Sequence, residues 1–238
     1  MSKELMDNKE ENQKTVYMRE IRSFVKREGR LTPGQDRILA ESPYLIRPEM
    51  LENSLDLDQL FGRENDQRTL EIGFGNGESL ATMAEAALDR DFLGVEVHRP
   101  GVGHLLLEVE KRGLTNLFAA NEDAVELLKH KIKDESFDRV QIFFADPWHK
   151  KKHHKRRLVQ NEFVTMLATK MIKGGILHLA TDWQHYAEQM MEVLGQHPDF
   201  ENCYEEYAPR PDFRPKTKFE ARGERLGHGV WDIMFKRR

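Results

Sequence analysis

The chain has 238 residues, of which 39% are hydrophobic and 33% charged. This length suits one sizeable domain better than two small ones, and because residues 1–14 are polar we expect neither a signal peptide nor an N-terminal membrane anchor. The 37 basic and 41 acidic residues give a formal net charge of −4, so any binding to nucleic acid must use local basic patches.

The composition also predicts where the protein works and how it is organised. A single cysteine, Cys203, excludes an internal disulfide and indicates a reducing compartment, and no segment is apolar enough to span a bilayer, so we expect a cytoplasmic protein. Residues 1–18 are predicted to be a disordered tail, and residues 19–238 a single domain with a basic N-terminal extension. The basic stretch 19–37 is either a solvated arm packed on the domain, the interpretation we favour, or an RNA-contacting extension.

From residue 68 onward, strands alternate with helices. The predicted strands cover residues 68–72, 91–97, 116–120, 140–144, 176–181, 200–205 and 230–235. The predicted helices cover residues 78–88, 103–111, 124–128, 158–171 and 182–194, and Asp182 is placed to cap the last of them. This pattern predicts an α/β fold with a seven-stranded, mostly parallel sheet and helices on both faces, and with ligands at the carboxyl ends of the strands.

The first strand runs into a glycine turn with Gly73, Gly75 and Gly77. Taken alone, this is a tight turn that needs no ligand. A dinucleotide site requires Gly-x-Gly-x-x-Gly, but here the third glycine arrives one position early and Glu78 holds its place. A carboxylate there would repel a pyrophosphate, so the turn disfavours NAD.

An acid accompanies each of the first three strands. Glu71 lies beside the glycine turn, Glu96 is placed to meet ribose hydroxyls, and Asp123 to accept from an adenine amino group. Each acid could instead cap a helix, but three after successive strands favour a cationic cofactor. S-adenosylmethionine, with its ammonium and sulfonium groups, fits this set.

The fourth strand leads into Asp146-Pro147-Trp148. An acid and an aromatic ring set by a rigid proline can hold a flat base, and Asp146 can accept from the ring N–H and amine of guanine. The alternative is an ordinary Asp-Pro turn with Trp148 buried in the core.

Six of the eight residues from 150 to 157 are lysine or arginine, and none is acidic. Such a run is usually a solvated loop, but beside a site it becomes a candidate for binding RNA phosphates. The RNA-contact candidates are Lys151, Lys152, Lys155, Arg156 and Arg157. The two histidines within the run have no acid or cysteine beside them, so we expect no metal site.

Together these segments resemble the bacterial tRNA (guanine-N7-)-methyltransferase family. The resemblance extends over most of the chain from Ile21 onward. The matching segments are residues 70–75, 92–98, 146–150, 180–183, 217–220 and 227–232. The family pattern has proline before Asp-Pro-Trp, where this chain has Ala145, a difference that should alter the stiffness of the loop more than its chemistry.

The resemblance implies a Rossmann-like class I methyltransferase that uses S-adenosylmethionine to methylate N7 of the variable-loop guanine at tRNA position 46. It implies a cofactor site formed by Glu71, Gly73, Gly75, Glu96, Asp123 and Asp146. Asp146 would also be the catalytic residue. The substrate-binding residues would be Lys150, Asp182, Thr217, Lys218, Phe219 and Glu220. The partner would be tRNA, with no obligate protein partner, and the protein a monomer or homodimer.

Two other functions remain open on the residues alone. A methyltransferase acting on a small molecule would explain the acids but leave the basic run without a role. A non-catalytic RNA-binding protein that retains the fold would explain the basic run but not the acids.

Overall fold

A computed structural model of the chain describes residues 23–24, 29–216, 220 and 229–238. The predicted disordered tail, residues 1–18, lies outside these described residues, and so does most of the basic stretch before residue 29. In the part that is described, no helix combines the length and the apolar character needed to cross a membrane.

Within the described ranges, eight strands form one sheet. They are β1 (Leu45–Ile46), β2 (Arg68–Ile72), β3 (Asp91–Val95), β4 (Leu117–Ala120), β5 (Phe137–Phe143), β6 (Met171–Thr181), β7 (Phe200–Asn202) and β8 (Trp231–Arg237). Their order is β1-β4-β3-β2-β5-β6-β8-β7, and every pairing is parallel except those of β8 with β6 and β7. The predicted α/β class with a mostly parallel sheet is confirmed. The predicted seven strands are one too few, because two-residue β1 is too short to show a periodicity.

Seven α-helices connect these strands in the described residues. They are α1 (Pro33–Glu41), α2 (Leu57–Phe61), α3 (Glu78–Ala86), α4 (Arg99–Arg112), α5 (Ala124–Lys131), α6 (Asn161–Lys170) and α7 (Gln184–Gly195). Two 3-10 helices, Pro48–Leu51 and Lys151–Arg156, complete the set. Helices pack on both faces of the sheet, since one apolar cluster joins Leu70 to Leu167 of α6 and a second joins Phe92 to Leu105 of α4.

Helix α1 overlaps the end of the basic stretch 19–37, which the sequence predicts only as an arm. It begins with a capping box, in which Thr32 Oγ1 accepts from the N–H of Gln35 and Gln35 Oε1 accepts from the N–H of Thr32. The helix packs against α4, and Arg37 forms an ion pair with Glu110 of that helix at 2.6 Å. Residues 33–37, the part of the predicted arm that lies in α1, are thus packed on the domain.

The strand order reverses beside β2, which has β3 on one side and β5 on the other. In an open parallel sheet such a reversal leaves a crevice at the carboxyl ends of the strands, because the connections leave in opposite directions. The Asp146 segment follows β5 and the glycine turn follows β2, so the fold brings both to this crevice.

The predicted helix cap at Asp182 is wrong. Helix α7 begins at Gln184, and Trp183 is its N-cap residue without a side-chain capping bond. Asp182 lies one position earlier, with an exposed side chain. It is therefore free of the structural task that sequence reasoning assigned to it.

Candidate active site

The glycine turn after β2 forms one wall of the crevice. Gly73, Gly75 and Gly77 have φ angles of 74°, 62° and 76°, a left-handed conformation that side chains disfavour. Gly101, in the first turn of α4, lies so close that a Cβ there would be 2.1 Å from the carbonyl oxygen of Gly75. The backbone of α4 therefore packs directly on the turn and fixes its path.

A cavity of about 770 Å³ opens between this turn and the carboxyl ends of the neighbouring strands. The site residues that line it are Gly73, Gly75, Glu96, Asp123, Asp146 and Lys150. Counting Glu122 with Glu96, Asp123 and Asp146, four carboxylates face the cavity, whereas Lys150 is the single lysine or arginine among the described lining residues. The cavity is thus suited to a cationic ligand and unsuited to a pyrophosphate.

Glu96 ties the glycine turn to the end of β3. Its Oε2 accepts from the N–H of Gly75 at 3.0 Å, and its Oε1 accepts from the N–H of His98 at 2.8 Å. A carboxylate oxygen accepts more than one hydrogen bond, so both oxygens keep capacity for a ligand. Glu96 therefore both shapes the turn and faces the cavity.

Asp123 combines the two interpretations that the sequence left open. It is the N-cap of α5, with Oδ1 accepting from the N–H of Val125 at 2.9 Å. It also lines the cavity. Because the cap uses Oδ1, the second oxygen can accept from a ligand.

Asp146 has an exposed side chain at the mouth of the cavity. The loop that carries it is held by its neighbours: Phe144 and Trp148 have left-handed φ angles of 55° and 47°, and the carbonyl oxygen of Pro147 accepts from Arg157 Nε at 2.7 Å. Such backbone positions persist only where the surroundings enforce them. The loop is therefore a fixed support for the Asp146 carboxylate.

Trp148 is not buried in the core, contrary to one interpretation of the sequence. It is partly buried, and its Nε1 donates to the carbonyl oxygen of Ser23 at 3.0 Å. The guanidinium of Arg156 lies 4.0 Å from the ring centroid and also donates to the carbonyl oxygen of Phe24 at 3.2 Å. Together Trp148 and Arg156 hold residues 23 and 24 at the cavity, which both residues line.

Glu71 does not lie where the sequence predicts. Its side chain is 3% exposed within β2, and it is absent from the lining of the cavity. Its Oε2 finds no hydrogen-bond partner among the described residues, and burial raises the pKa of the carboxyl to about 8. Sequence reasoning placed a charged group beside the turn, but the alternation of a strand turns this side chain into the protein.

This buried carboxyl should make stability depend on pH. The pKa in the folded state, about 8, lies above the ordinary value of 4.5, so between those pH values the folded state keeps a proton that the unfolded state has lost. Stability should therefore fall as pH rises through this window, by about 1.4 kcal/mol per pH unit. Glu71→Gln should remove this component, as measured by urea unfolding from pH 5 to pH 8.

The informative quantity is the difference between the unfolding free energies of the wild type and Glu71→Gln, since other titrating groups cancel in it. A difference that stays constant across the window would show that Glu71 titrates normally.

The basic run divides into exposed and buried residues. Lys150, Lys151, Lys152 and Lys155 are exposed, so they can meet phosphates. Arg157, also predicted as an RNA contact, is only 2% exposed, so its side chain does not lie at the surface with the lysines. Besides holding Pro147, its Nη1 donates to Gln189 Oε1 and lies 3.1 Å from His185 Nδ1. It supports the Asp146 loop from within.

A buried charge network lies next to Phe144, which lines the cavity, and sequence reasoning missed it. Arg214 donates to both carboxylate oxygens of Asp232 and to both of Glu220, each at 2.8 Å, and all three side chains are at most 3% exposed. His178 Nε2 lies 2.7 Å from Asp232 Oδ1. The signal was Asp232, a carboxylate in the apolar stretch of β8, which requires a buried partner.

This network shows where Glu220, one of the predicted substrate-binding residues, lies. The carboxylate is paired with Arg214 in the interior and is 3% exposed, so the structure does not place it at the surface. The other three residues of the segment, Thr217, Lys218 and Phe219, lie outside the described residues. Because Arg214 and Glu220 flank them, the ion pair joins the two ends of the segment.

Residues 65–233 match the family model described as "Putative methyltransferase". The chain is 52% identical to the tRNA (guanine-N(7)-)-methyltransferase of Methylobacillus flagellatus over the full length of both proteins. It is 55% identical to the protein of that name from Idiomarina loihiensis, over 92% of this chain and 90% of the relative. Among solved structures, the 16S rRNA methyltransferase KamB aligns with a TM-score of 0.55 and 14% identity, over 76% of this chain and 93% of KamB. The predicted Rossmann-like class I fold is confirmed.

Proposed function

Because this chain belongs to the tRNA (guanine-N(7)-)-methyltransferase family, we propose that it transfers a methyl group from S-adenosylmethionine to N7 of a guanine in tRNA. The acceptor is the variable-loop guanine at tRNA position 46. The observation that carries the proposal is the acidic cavity at the reversal of the strand order, with a left-handed glycine turn on one side and Asp146 at its mouth. The cytoplasm, where thiols such as the exposed Cys203 stay reduced, is the compartment we propose.

The residues of the cavity fit S-adenosylmethionine. Glu96 and Asp123 each keep a carboxylate oxygen able to accept from ribose hydroxyls or the adenine amine, and the excess of acids suits a cofactor with two positive groups. Gly73 and Gly75 let the main chain approach it closely. Glu71 is buried in β2, directly before the turn, and lies outside the lining of the cavity. When bound, the cofactor supplies an electrophilic methyl group on a sulfonium.

The chain's own task is to position the guanine and to stabilise charge. Guanine N7 has an in-plane lone pair and no proton to lose, so no general base is needed. The methylated base is cationic, and the Asp146 carboxylate at the cavity mouth stabilises that charge as it forms. Its rigid loop, braced through Pro147, fixes the carboxylate in advance, and Lys150 beside it contacts the substrate.

The exposed part of the basic run supplies contacts to the tRNA backbone. Lys151, Lys152 and Lys155 are exposed on the 3-10 helix directly after Lys150, and Arg156 is partly buried against Trp148. Several adjacent lysines bind phosphates irrespective of the base. They can therefore contact the phosphate backbone of a nucleic acid, whereas a small-molecule acceptor would leave them without a ligand. This favours tRNA over a small-molecule acceptor.

The test is methyl transfer to tRNA that lacks the modification. With labelled S-adenosylmethionine, we expect one methyl group per tRNA, mapped to N7 of the variable-loop guanine by chemical cleavage at that base. Raising the salt concentration from tens to hundreds of millimolar should steeply lower the rate of transfer at limiting tRNA, because tRNA binding through phosphate contacts releases counterions and weakens as salt rises.

The matched control is the same tRNA already carrying the modification, which should accept no label. A methyl group on another base would overturn the proposed acceptor. Cofactor binding without transfer to any RNA would favour the small-molecule methyltransferase, and no cofactor binding at all would favour a non-catalytic RNA-binding protein.

A further inference from the structure

Trp183 lies exposed beside the cavity, and the proposed reaction leaves it without a role. The residue is 38% exposed, although its indole is among the largest apolar groups in the chain. It follows β6, whose carboxyl end lies next to that of β5, from which the Asp146 loop departs. An aromatic side chain left open at such a place is typical of a surface that binds a flat partner.

His149 connects the Trp183 ring to the cavity. The two ring centroids are 4.2 Å apart and the planes meet at 87°, an edge-to-face contact. His149 is itself exposed and lines the cavity, so Trp183 lies one ring away from it. An edge-to-face contact covers at most one face of the indole, which leaves aromatic surface for a planar group.

The start of α7 does not require an indole. The N–H of Trp183 lies 3.2 Å from Thr181 Oγ1, to which it donates, and its carbonyl oxygen accepts from the N–H groups of Tyr186 and Ala187. These are main-chain groups that most residues possess, and the Trp183 side chain makes no capping bond. The helix start therefore leaves the choice of tryptophan unexplained.

The charges around the pair match a nucleotide. Lys150 and Lys151 follow His149 with exposed side chains, suited to phosphates. Asp182 precedes Trp183 and is also exposed, and its carboxylate can accept from the N–H groups on a base edge. The pair of rings can thus contact the face of a base, the lysines its phosphate, and Asp182 the edge of the base.

We propose that Trp183 and His149 form a stacking platform for an unpaired nucleobase of the tRNA, next to the target guanine. This inference rests on the proposed function, which supplies the RNA. The base is a neighbour of the target because Asp146 faces the cavity, whereas Trp183 lies outside its lining. Stacking tolerates every base, so the platform contributes affinity and position and does not select a sequence.

The test compares Trp183→Ala with Trp183→Phe. Stacking on an aromatic residue contributes enough that Trp183→Ala should weaken tRNA binding and kcat/KM for tRNA by roughly 5- to 150-fold. Trp183→Phe should retain most of both, because phenylalanine still stacks. Affinity for S-adenosylmethionine, measured by calorimetry, should stay unchanged in both variants.

Tryptophan fluorescence distinguishes direct contact of Trp183 with the tRNA from a structural role of Trp183. Binding of tRNA should quench tryptophan emission in the wild type, and most of that quench should vanish in Trp183→Phe even though tRNA still binds. The matched control is Leu88→Ala, which removes an exposed apolar side chain, 62% exposed, after α3 and should alter none of these quantities.

Wild-type tRNA binding by Trp183→Ala would overturn the platform, and so would equal weakening in both variants together with a lowered melting temperature. Methyl transfer by the wild type tests the proposed function separately. If the wild type methylates tRNA and Trp183→Ala does so equally well, the platform alone fails. If the wild type transfers no methyl, the proposed function fails, and the binding and quenching data still decide the platform.

Discussion

Replacing Asp146 by alanine is expected to reduce methyl transfer to tRNA by on the order of 10²- to 10³-fold while the protein stays folded. The carboxylate is exposed at the mouth of the cavity, so its removal leaves no buried group without a partner. The effect arises because the guanine becomes cationic on methylation, and the variant lacks the carboxylate that stabilises this charge. Single-turnover rates at saturating tRNA and cofactor measure the loss at the chemical step.

Asp146→Asn is the matched control for shape. It keeps the size and the acceptor oxygen but removes the charge, so it should lose nearly as much activity as alanine if charge is what matters. Near-normal turnover in either variant would remove Asp146 from the mechanism. A melting temperature well below that of the wild type would show that the loop had changed as a whole.

The largest effect on stability is expected at Arg214. Arg214→Ala leaves the carboxylates of Asp232 and Glu220 buried without their guanidinium, and breaking such a pair typically costs about 3–5 kcal/mol. Burial pushes the pKa of Asp232 upward, but hydrogen bonds from His178 and Arg214 outweigh it and hold the pKa below its ordinary value. Urea unfolding at neutral pH measures the loss.

An exposed ion pair provides the comparison. Arg37 of α1 also meets two carboxylates, those of Glu41 and Glu110, but it does so at the surface, where water and salt screen the charges. Arg37→Ala should therefore change the unfolding free energy little. If the two arginine variants were equally stable, the Arg214 network would have no structural role.

Arg214→Lys separates charge from geometry. Lysine retains the positive charge but cannot give paired hydrogen bonds to two carboxylates, so it should recover only part of the stability. We propose that residues 217–219 contact the tRNA. Because Arg214 and Glu220 flank them, the lysine variant should then have a higher KM for tRNA than the wild type, with its affinity for the cofactor unchanged.

The parallel strands and the glycine turn could be predicted from the sequence. Runs of apolar residues indicate buried strands, and glycines indicate a turn whose backbone adopts positive φ angles. The sequence also placed Glu96, Asp123 and Asp146 correctly at one edge of the sheet, since the carboxyl ends of parallel strands meet there. The orientation of single side chains was less accessible. Glu71 turns inward because strand residues alternate between faces, and its position beside the turn did not show which face it takes.

Contacts between distant segments were beyond the reach of local patterns. Arg157 belongs to a run of exposed lysines, yet Pro147 and Gln189 surround its guanidinium in the interior. The partners of Arg214 come from the start of β8 and from six residues further along the chain. The packing of α7 and β8 on the rest of the domain determines these positions. Residues next to Arg157 or Arg214 in the sequence do not predict that packing.

The attachment of residues 23 and 24 to the cavity has an evolutionary consequence. Trp148 and Arg156 hold them through main-chain carbonyl oxygens, which every amino acid possesses. These two hydrogen bonds therefore impose no requirement on which side chains residues 23 and 24 carry. Among homologous proteins, an indole and a guanidinium at the positions of Trp148 and Arg156 would therefore indicate that the same attachment is possible.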